Sequence, residues 1–345
     1  MERIKKVIKN LALFFILIVL TFYIIFKDQD VSQIFEVVRS AKKEFILIAI
    51  LCMCFYILCE ATNIRRTLKA LNEKTKLISN IKYALIGFFF SGITPAASGG
   101  QPMQIYFMHK DKISVANSTL ALLINLTCMQ IVTISTALFS IIFNYKYLNK
   151  ALIGLFILGI VLNSTALTLL IISIFSKRAT KWIIDFSIKV LKFFRVKNIE
   201  EKRLRFEQEL TKYQGSTDYI KNNKFVVLKT LITTYFQFIA FYSISYWVYR
   251  AFGMNEKSIF SIITLQSMLY ATVSGIPSPG AVGVSEGGFI AIFSKIYPEN
   301  MINGAMILSR GINFYLFIAL SAIVVIVSTI KEKKEEKNEI EENDE

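Results

Sequence analysis

A stretch that cannot form a regular helix lies between two apolar runs in the second half of the chain. Residues 274–288 read SGIPSPGAVGVSEGG and contain two prolines and five glycines. Proline removes a backbone donor and glycine adds conformational freedom, so both disfavour a continuous helix. The apolar flanks, residues 259–273 and 289–296, are typical of a membrane interior, where irregular backbone is tolerated only inside protein or around a watery cavity. The pattern predicts a broken membrane segment, which is a common location for a transport or binding site.

A second stretch, in the first half of the chain, resembles this one. Residues 91–100 read SGITPAASGG, and both stretches begin with Ser-Gly-Ile, continue with proline and end with serine and paired glycines. Two similar broken segments, one in each half, are typical of transporters built from inverted repeats. A simpler alternative is that both are loops between helices. We predict that the following residues form gating loops: Pro95, Gly99, Gly100, Pro277, Pro279, Gly280 and Gly283.

The composition excludes an ordinary soluble globular protein. Of the 345 residues, 54% are hydrophobic, and the apolar residues come in blocks long enough to cross a bilayer as helices. The net charge of +15 is explained by basic loops on the inner side and by anionic lipid headgroups, so no direct contact with nucleic acid is expected. The four cysteines lie in apolar runs and there is one histidine, so we expect no metal site and no cofactor.

The alternation of apolar and polar segments predicts the fold class. We expect an all-α polytopic membrane protein with about six full transmembrane helices plus two broken, re-entrant hairpins in an inverted repeat. The hairpins are expected at residues 83–108 and 259–296. The six spans are expected at residues 7–26, 45–61, 114–143, 151–175, 225–251 and 302–330.

The same segmentation predicts a division of the chain. Residues 1–330 are expected to form one membrane domain, in which half one is 1–175, a cytoplasmic basic region is 176–224 and half two is 225–330. The start of the basic region is predicted to be an amphipathic helix on the inner leaflet, and residues 199–213 a surface helix.

The polar segments outside the spans predict the orientation. Residues 27–44 are predicted to be an outer loop, and residues 331–345 a disordered cytoplasmic tail. Lysine and arginine concentrate in the segments that this topology places inside. We therefore expect a multi-pass protein of the cell membrane with both termini cytoplasmic.

Polar side chains at membrane depth are the candidate substrate ligands, because charge within hydrocarbon is costly. Arg310 could bind a phosphate through two hydrogen bonds, or it could reach the outer interface or pair with Glu286. Glu286 could pair with Arg310, bind a cationic headgroup or carry a proton. Gln101 and Gln104 adjoin the first broken stretch. Ser98 and Ser285, the serines near the ends of the two stretches, complete the candidate set.

The remaining polar residues of the apolar runs have structural explanations. Glu60 lies at the inner end of the second span, where we predict an interfacial ion pair with Arg65. No Walker loop, HExxH motif or Gly-x-Ser-x-Gly elbow is present, so no catalytic residue is predicted. Hydrogen bonds between helices are expected for Asn125, Gln130, Gln237, Gln266 and Asn313.

The motifs are similar to those of the lysylphosphatidylglycerol synthase transmembrane family, also called flippase-like membrane proteins. The similarity covers nearly all of residues 5–330. Longer family members add a cytosolic domain that transfers an aminoacyl group from tRNA to phosphatidylglycerol, and their membrane part is thought to move the product lipid outward. The residues that carry the resemblance are Thr94-Pro95 with GGQP at 99–102, Ile276-Pro277 with PGAVGVSE at 279–286, and Ser309-Arg310.

The resemblance implies a translocator for a phospholipid such as aminoacylated phosphatidylglycerol, with membrane phospholipid headgroups as its partners. We expect this chain to lack the cytosolic domain, so a separate aminoacyl-transferase could be a further partner. Many relatives carry arginine and glutamate in the first motif, where this chain has Ser98, Gly99, Gln101 and Gln104. Two alternatives stay open: a phosphatidylglycerol lysyltransferase or its membrane subunit, and a non-transporting membrane scaffold. The oligomeric state is not predicted.

Overall fold

The described part of the protein is entirely helical, which confirms the predicted fold class. A computed structural model describes residues 31–145, 149–176 and 199–344. The predicted first span, 7–26, and the first part of the basic region, 177–198, lie outside these residues. The helices are α1 (Val31–Ser40), α2 (Lys43–Ala70), α3 (Leu77–Gly92), α4 (Gly100–Lys110), α5 (Val115–Asn144), α6 (Lys150–Phe175), α7 (Ile199–Asn222), α8 (Lys224–Ala251), α9 (Ile259–Val273), α10 (Val284–Phe293), α11 (Glu299–Arg310) and α12 (Leu316–Asp344).

Five helical segments are long and apolar enough to cross a membrane. They are α2, α5, α6, α8 and the run Glu299–Lys331, which comprises α11, a π-helical turn at Gly311–Tyr315 and the start of α12. These segments confirm five of the six predicted spans. The outer face of α6 exposes apolar side chains such as Ile157 and Val161, as expected for a lipid-facing surface.

Two helical hairpins with irregular tips confirm the two predicted broken segments. The first break, residues 93–99, joins α3 to α4, and the second break, residues 274–283, joins α9 to α10. Each break contains a 3₁₀ turn that begins with proline, at Pro95–Ala97 and at Pro279–Ala281.

The backbone repeats between the two breaks. In both, the two residues after proline are left-handed: φ is 52° at Ala96 and 54° at Ala97, and 60° at Gly280 and 51° at Ala281. This conformation is unfavourable for alanine, so the surrounding structure has to impose it. Its presence at the matching position of both hairpins shows that they are locally the same structure.

Helices α2 and α8 form the most extensively packed pair in the described bundle. Their contacts run in opposite directions along the two helices: Cys52 bonds Ser243, whereas Arg66, further along α2, bonds the Lys229 carbonyl. The two helices are therefore antiparallel. Each helix precedes the hairpin of its own half, and an antiparallel relation of such equivalents is what an inverted repeat requires.

The two breaks pack against each other. A Cβ at Gly280 would lie 3.0 Å from the Gly92 carbonyl oxygen and 2.1 Å from the Phe314 ring, so a side chain there would push the hairpins apart. The Gly280 φ of +60° also favours glycine at this position. Phe314, in the π-helical turn, packs on Phe88 of the first hairpin, with ring centroids 6.1 Å apart. The tips therefore contact each other, and residues 95–98 of the first break are exposed.

Three predicted segments differ from the structure. The expected outer loop contains α1, which packs against α11 near Gly304. The expected surface helix extends to Asn222 and is partly buried, because Tyr213 and Ile220 pack against α5 and its neighbours. Residues 331–344 continue α12 as helix instead of forming a disordered tail. Lysine and glutamate dominate that segment and have high helix propensity, which explains the continuation.

A glycine on α6 tests the packing of α6 against the second hairpin. A Cβ at Gly159 would lie 2.4 Å from the Ala271 carbonyl oxygen, whereas a Cβ at Gly154 would have no neighbour within 4 Å. Gly159→Ala should therefore lower stability by about 1–3 kcal/mol through overpacking. Gly154→Ala should be neutral or slightly stabilising because alanine favours helix. Thermal unfolding in detergent measures both, and equal midpoints for the two variants would contradict this packing.

Candidate functional site

A cavity of about 610 Å³ lies between the two hairpins and helices α2, α5 and α6. Its volume falls in the range of pockets that hold small molecules or headgroups. Uncharged polar groups from several helices and two charged residues, Glu60 and Arg310, line it. The uncharged polar side chains of its wall include Ser91, Ser98, Gln101, Gln104, Asn125, Gln130, Asn163, Gln266, Ser285 and Asn313.

Arg310 joins the second break to the last span. It ends α11, immediately before the π-helical turn. Its Nε donates to Glu286 Oε1 at 2.8 Å and its Nη2 donates to the Gly280 carbonyl at 3.1 Å. Its Nη1 lies 3.5 Å from Asn313 Oδ1, and the guanidinium stacks 4.4 Å from the centre of the Phe314 ring. The side chain is thus held from three directions.

Glu286 is fully buried behind Arg310 and does not line the cavity. Its Oε1 also accepts a hydrogen bond from the Tyr315 hydroxyl at 2.9 Å, and its Oε2 accepts one from the Gly283 amide at 2.7 Å. The second bond satisfies an amide at the start of α10. The sequence left several roles open for Glu286 and Arg310. The structure shows one of them, the ion pair between the two side chains.

The first hairpin contributes neutral donors and acceptors to the cavity wall, and its ion pair, between Lys82 and Asp111 at 2.6 Å, lies at the base of its two arms. Gln104 is buried and donates to the Tyr83 carbonyl at 3.0 Å, which ties α4 to α3. Gln101 is half-buried on the cavity wall and has no hydrogen bond within the described chain. Thr94 closes the break, because its hydroxyl donates to the Phe90 carbonyl at 2.5 Å and accepts from the Gly99 amide at 2.9 Å.

The predicted site residues separate into two groups. Those on the cavity wall are Ser98, Gln101, Gln104, Gly280, Ser285 and Arg310. Those that shape the breaks or their neighbours without lining the cavity are Pro95, Gly99, Gly100, Pro277, Pro279, Gly283 and Glu286.

The prediction for Glu60 was wrong. Glu60 lines the cavity, and its Oε2 accepts a 2.9 Å hydrogen bond from Gln237. None of the ion pairs among the described residues joins Glu60 to Arg65, and Arg65 is exposed. Helix α2 continues to Ala70 beyond the predicted span end, so Glu60 lies deeper than expected. A separation of five residues also places Arg65 about 140° around the helix from Glu60.

The predicted interhelical hydrogen bonds are formed by some amides and not by others. Gln237 bonds Glu60, and Gln266 accepts from the Ser245 hydroxyl at 2.8 Å, so both join different helices. Asn313 instead lies 3.5 Å from Arg310 of its own span. Both amide atoms of Asn125 and the Oε1 of Gln130 have no partner among the described residues. Asn125 and Gln130 belong to the cavity wall, and each has at least one buried amide atom without a hydrogen-bond partner in the described part of the chain.

Comparisons with known proteins give relatives that span most of this chain. Residues 8–321 match the family described as the lysylphosphatidylglycerol synthase TM region. A UPF0104 membrane protein of Archaeoglobus fulgidus is 22% identical over 324 residues, which cover 90% of this chain and 94% of that protein. A UPF0104 membrane protein of Methanothermobacter thermautotrophicus is 24% identical over 258 residues, or 72% and 75% of the two chains.

A double-mutant cycle tests the buried ion pair. Glu286→Gln leaves the Arg310 charge without its partner, and Arg310→Met leaves the Glu286 charge without its partner. Each should cost about 3–5 kcal/mol of unfolding free energy. The double variant should cost clearly less than the sum of the two. Unfolding in detergent micelles measures the four proteins.

A surface pair serves as the control for that cycle. The side chains of Lys221 and Asp218 are 42% and 51% exposed and lie 3.3 Å apart. Lys221→Met should change stability by about 0–1 kcal/mol. Strictly additive losses for Glu286→Gln and Arg310→Met would show that the two side chains do not support each other.

Proposed function

Because the chain belongs to the lysylphosphatidylglycerol synthase transmembrane-region family of multi-pass membrane proteins, we propose that it moves phospholipid headgroups across the membrane. The observation that carries the proposal is the cavity between two broken hairpins whose tips contact each other. Polar headgroups cross a bilayer slowly because hydrocarbon offers them no hydrogen bonds. A cavity whose mainly apolar wall includes polar groups offers a headgroup hydrogen bonds and so lowers that barrier.

The wall supplies suitable contacts for a headgroup. Gln101 and Ser285 belong to different hairpins and offer hydrogen-bond donors to a phosphate or a glycerol. The Arg310 guanidinium lines the same space and attracts a phosphate, although its charge is partly balanced by Glu286. The acyl chains of the lipid can remain in the membrane while the headgroup occupies the cavity. The left-handed turns of the two breaks are the local structures where gating would take place.

We also propose a topology, a membrane and a substrate for this protein. The two hairpins are the gates of an inverted repeat, in which residues 1–175 and 225–330 form the two halves and 176–224 a basic cytoplasmic region. The membrane is the plasma membrane, with both termini cytoplasmic, because the basic segments concentrate on that side. Relatives that include an aminoacyl-transferase suggest aminoacylated phosphatidylglycerol as a substrate, supplied here by a separate transferase partner.

A substitution that fills the cavity tests the proposal. Ala166 on α6 lines the cavity, whereas Ile157 on the same helix does not and is 56% exposed. Ala166→Trp should slow lipid movement at least about tenfold, equivalent to about 1.4 kcal/mol added to the barrier. Proteoliposomes that contain a fluorescent phospholipid, with a quencher added outside, measure the rate.

Ile157→Trp adds a tryptophan to the same helix on its outer face and should leave the rate unchanged. Both variants should unfold at similar temperatures, which separates blockage from loss of fold. The proposal fails if the wild-type protein does not accelerate lipid movement over protein-free vesicles. Equal rates for Ala166→Trp and the wild type would exclude this cavity as the path.

A further inference from the structure

The carboxyl group of Glu60 faces the cavity without a basic partner. Gln237 Nε2 donates to it at 2.9 Å, and no other hydrogen bond or ion pair reaches it in the part of the chain that the structure describes. Arg66, less than two turns further along α2, is committed elsewhere: its Nη1 donates to Asn63 Oδ1 at 2.7 Å and to the Lys229 carbonyl at 2.9 Å. A carboxylate at membrane depth without compensation is costly, so it calls for an explanation.

The two charged residues on the cavity wall differ in their electrostatic balance. Arg310 is paired with the buried Glu286 at 2.8 Å, which partly balances its charge. Glu60 has a neutral amide as its partner. The Glu60 side of the cavity therefore has an unbalanced negative charge and attracts a positive group.

Unpartnered amides lie on the same wall. Asn125 is 2% exposed, and neither of its amide atoms has a hydrogen-bond partner among the described residues. The Oε1 of Gln130 also has no partner there, and both residues line the cavity from α5. A buried amide left in this way is normally satisfied by a ligand or ordered water.

Glu60 and Asn125 lie at the same depth. Glu60 lies about 15 Å along α2 from the end of that helix at Ala70. Asn125 lies about 15 Å along α5 from the start of that helix at Val115. These ends are adjacent, because the carboxylate of Glu73, just after α2, accepts a 2.7 Å hydrogen bond from an amide in the first turn of α5. Helices α2 and α5 also pack directly against each other.

We propose that Glu60 and Asn125 form a subsite for a small monovalent cationic group. Gln130 lies five residues further along α5, about 140° around the helix from Asn125, and is not part of this subsite. Carboxylate and amide oxygens accept hydrogen bonds from an ammonium group and also coordinate hard cations. One carboxylate balances one positive charge, which favours a monovalent group. The source is either a free alkali-metal ion or the ammonium of a lipid headgroup. The role of the subsite in transport rests on the proposed function, whereas binding itself does not.

Two probes distinguish the sources. The purified full chain is placed in nanodiscs of phosphatidylglycerol, and its thermal unfolding midpoint is measured. In one arm Na⁺ replaces N-methyl-D-glucamine at constant ionic strength. In the other arm phosphatidylethanolamine replaces part of the phosphatidylglycerol. At least one probe should raise the midpoint of the wild type in a saturable manner, because a ligand that binds the folded state stabilises it.

The variant Glu60→Gln removes the charge and keeps an acceptor for Gln237. Its apparent affinity for the active probe should fall at least about tenfold, equivalent to about 1.4 kcal/mol. Glu44→Gln is the matched control, because Glu44 is an exposed carboxylate at the start of the same helix. It should respond like the wild type. Asn125→Ala should also weaken binding of the active probe. If Glu60→Gln does not fold, the response of Asn125→Ala tests the subsite in its place.

The possible outcomes distinguish the two sources of the cationic group and test whether the subsite exists. A Glu60-dependent response to Na⁺ alone identifies a free ion, and one to phosphatidylethanolamine alone identifies a headgroup ammonium. No wild-type response to either probe, or an equal response in Glu60→Gln, overturns the subsite. A Glu60-dependent response in a protein that moves no lipid would contradict the proposed function and leave the subsite intact.

Discussion

The second half of the site depends on the hydrogen bonds and the ion pair that the Arg310 guanidinium forms. The guanidinium connects α11 to the Gly280 carbonyl of the second break and to Glu286, which in turn accepts from the Gly283 amide at the start of α10. Irregular backbone inside a membrane requires partners for its polar groups, because lipid supplies none. The ion pair and its hydrogen bonds provide some of those partners, so the second break can persist at membrane depth.

The first break reaches the same backbone geometry without buried charge. The Thr94 hydroxyl bridges the Phe90 carbonyl and the Gly99 amide, and Gln104 ties the two arms of the hairpin together. The two breaks then pack against each other. Charge holds the second hairpin at its break, through Arg310 and Glu286, whereas in the first hairpin the ion pair of Lys82 and Asp111 lies at the base of the two arms. The two breaks can thus differ in how easily they move.

The sequence predicts the architecture better than the chemistry of the cavity wall. Apolar block lengths and the two Ser-Gly-Ile motifs suffice to locate five described spans and both hairpins. Glu60 was misassigned because the end of α2 cannot be read from hydropathy when Ile64, Thr67 and Leu68 extend its buried face. The interruption of the last span after Arg310 has no proline signal, so only tertiary contacts reveal it.

The central claim is that a water-accessible cavity with polar groups on its wall lies between the hairpins at membrane depth. Cysteine labelling tests it most directly, in a background without the four native cysteines. Ser285 is 8% exposed and lines the cavity, whereas Ile157 is 56% exposed and faces outward from α6. We expect a water-soluble, membrane-impermeant thiol reagent to label Ser285→Cys faster than Ile157→Cys in lipid vesicles, despite its smaller exposure. Faster labelling of Ile157→Cys, or no labelling at either position, would contradict the account.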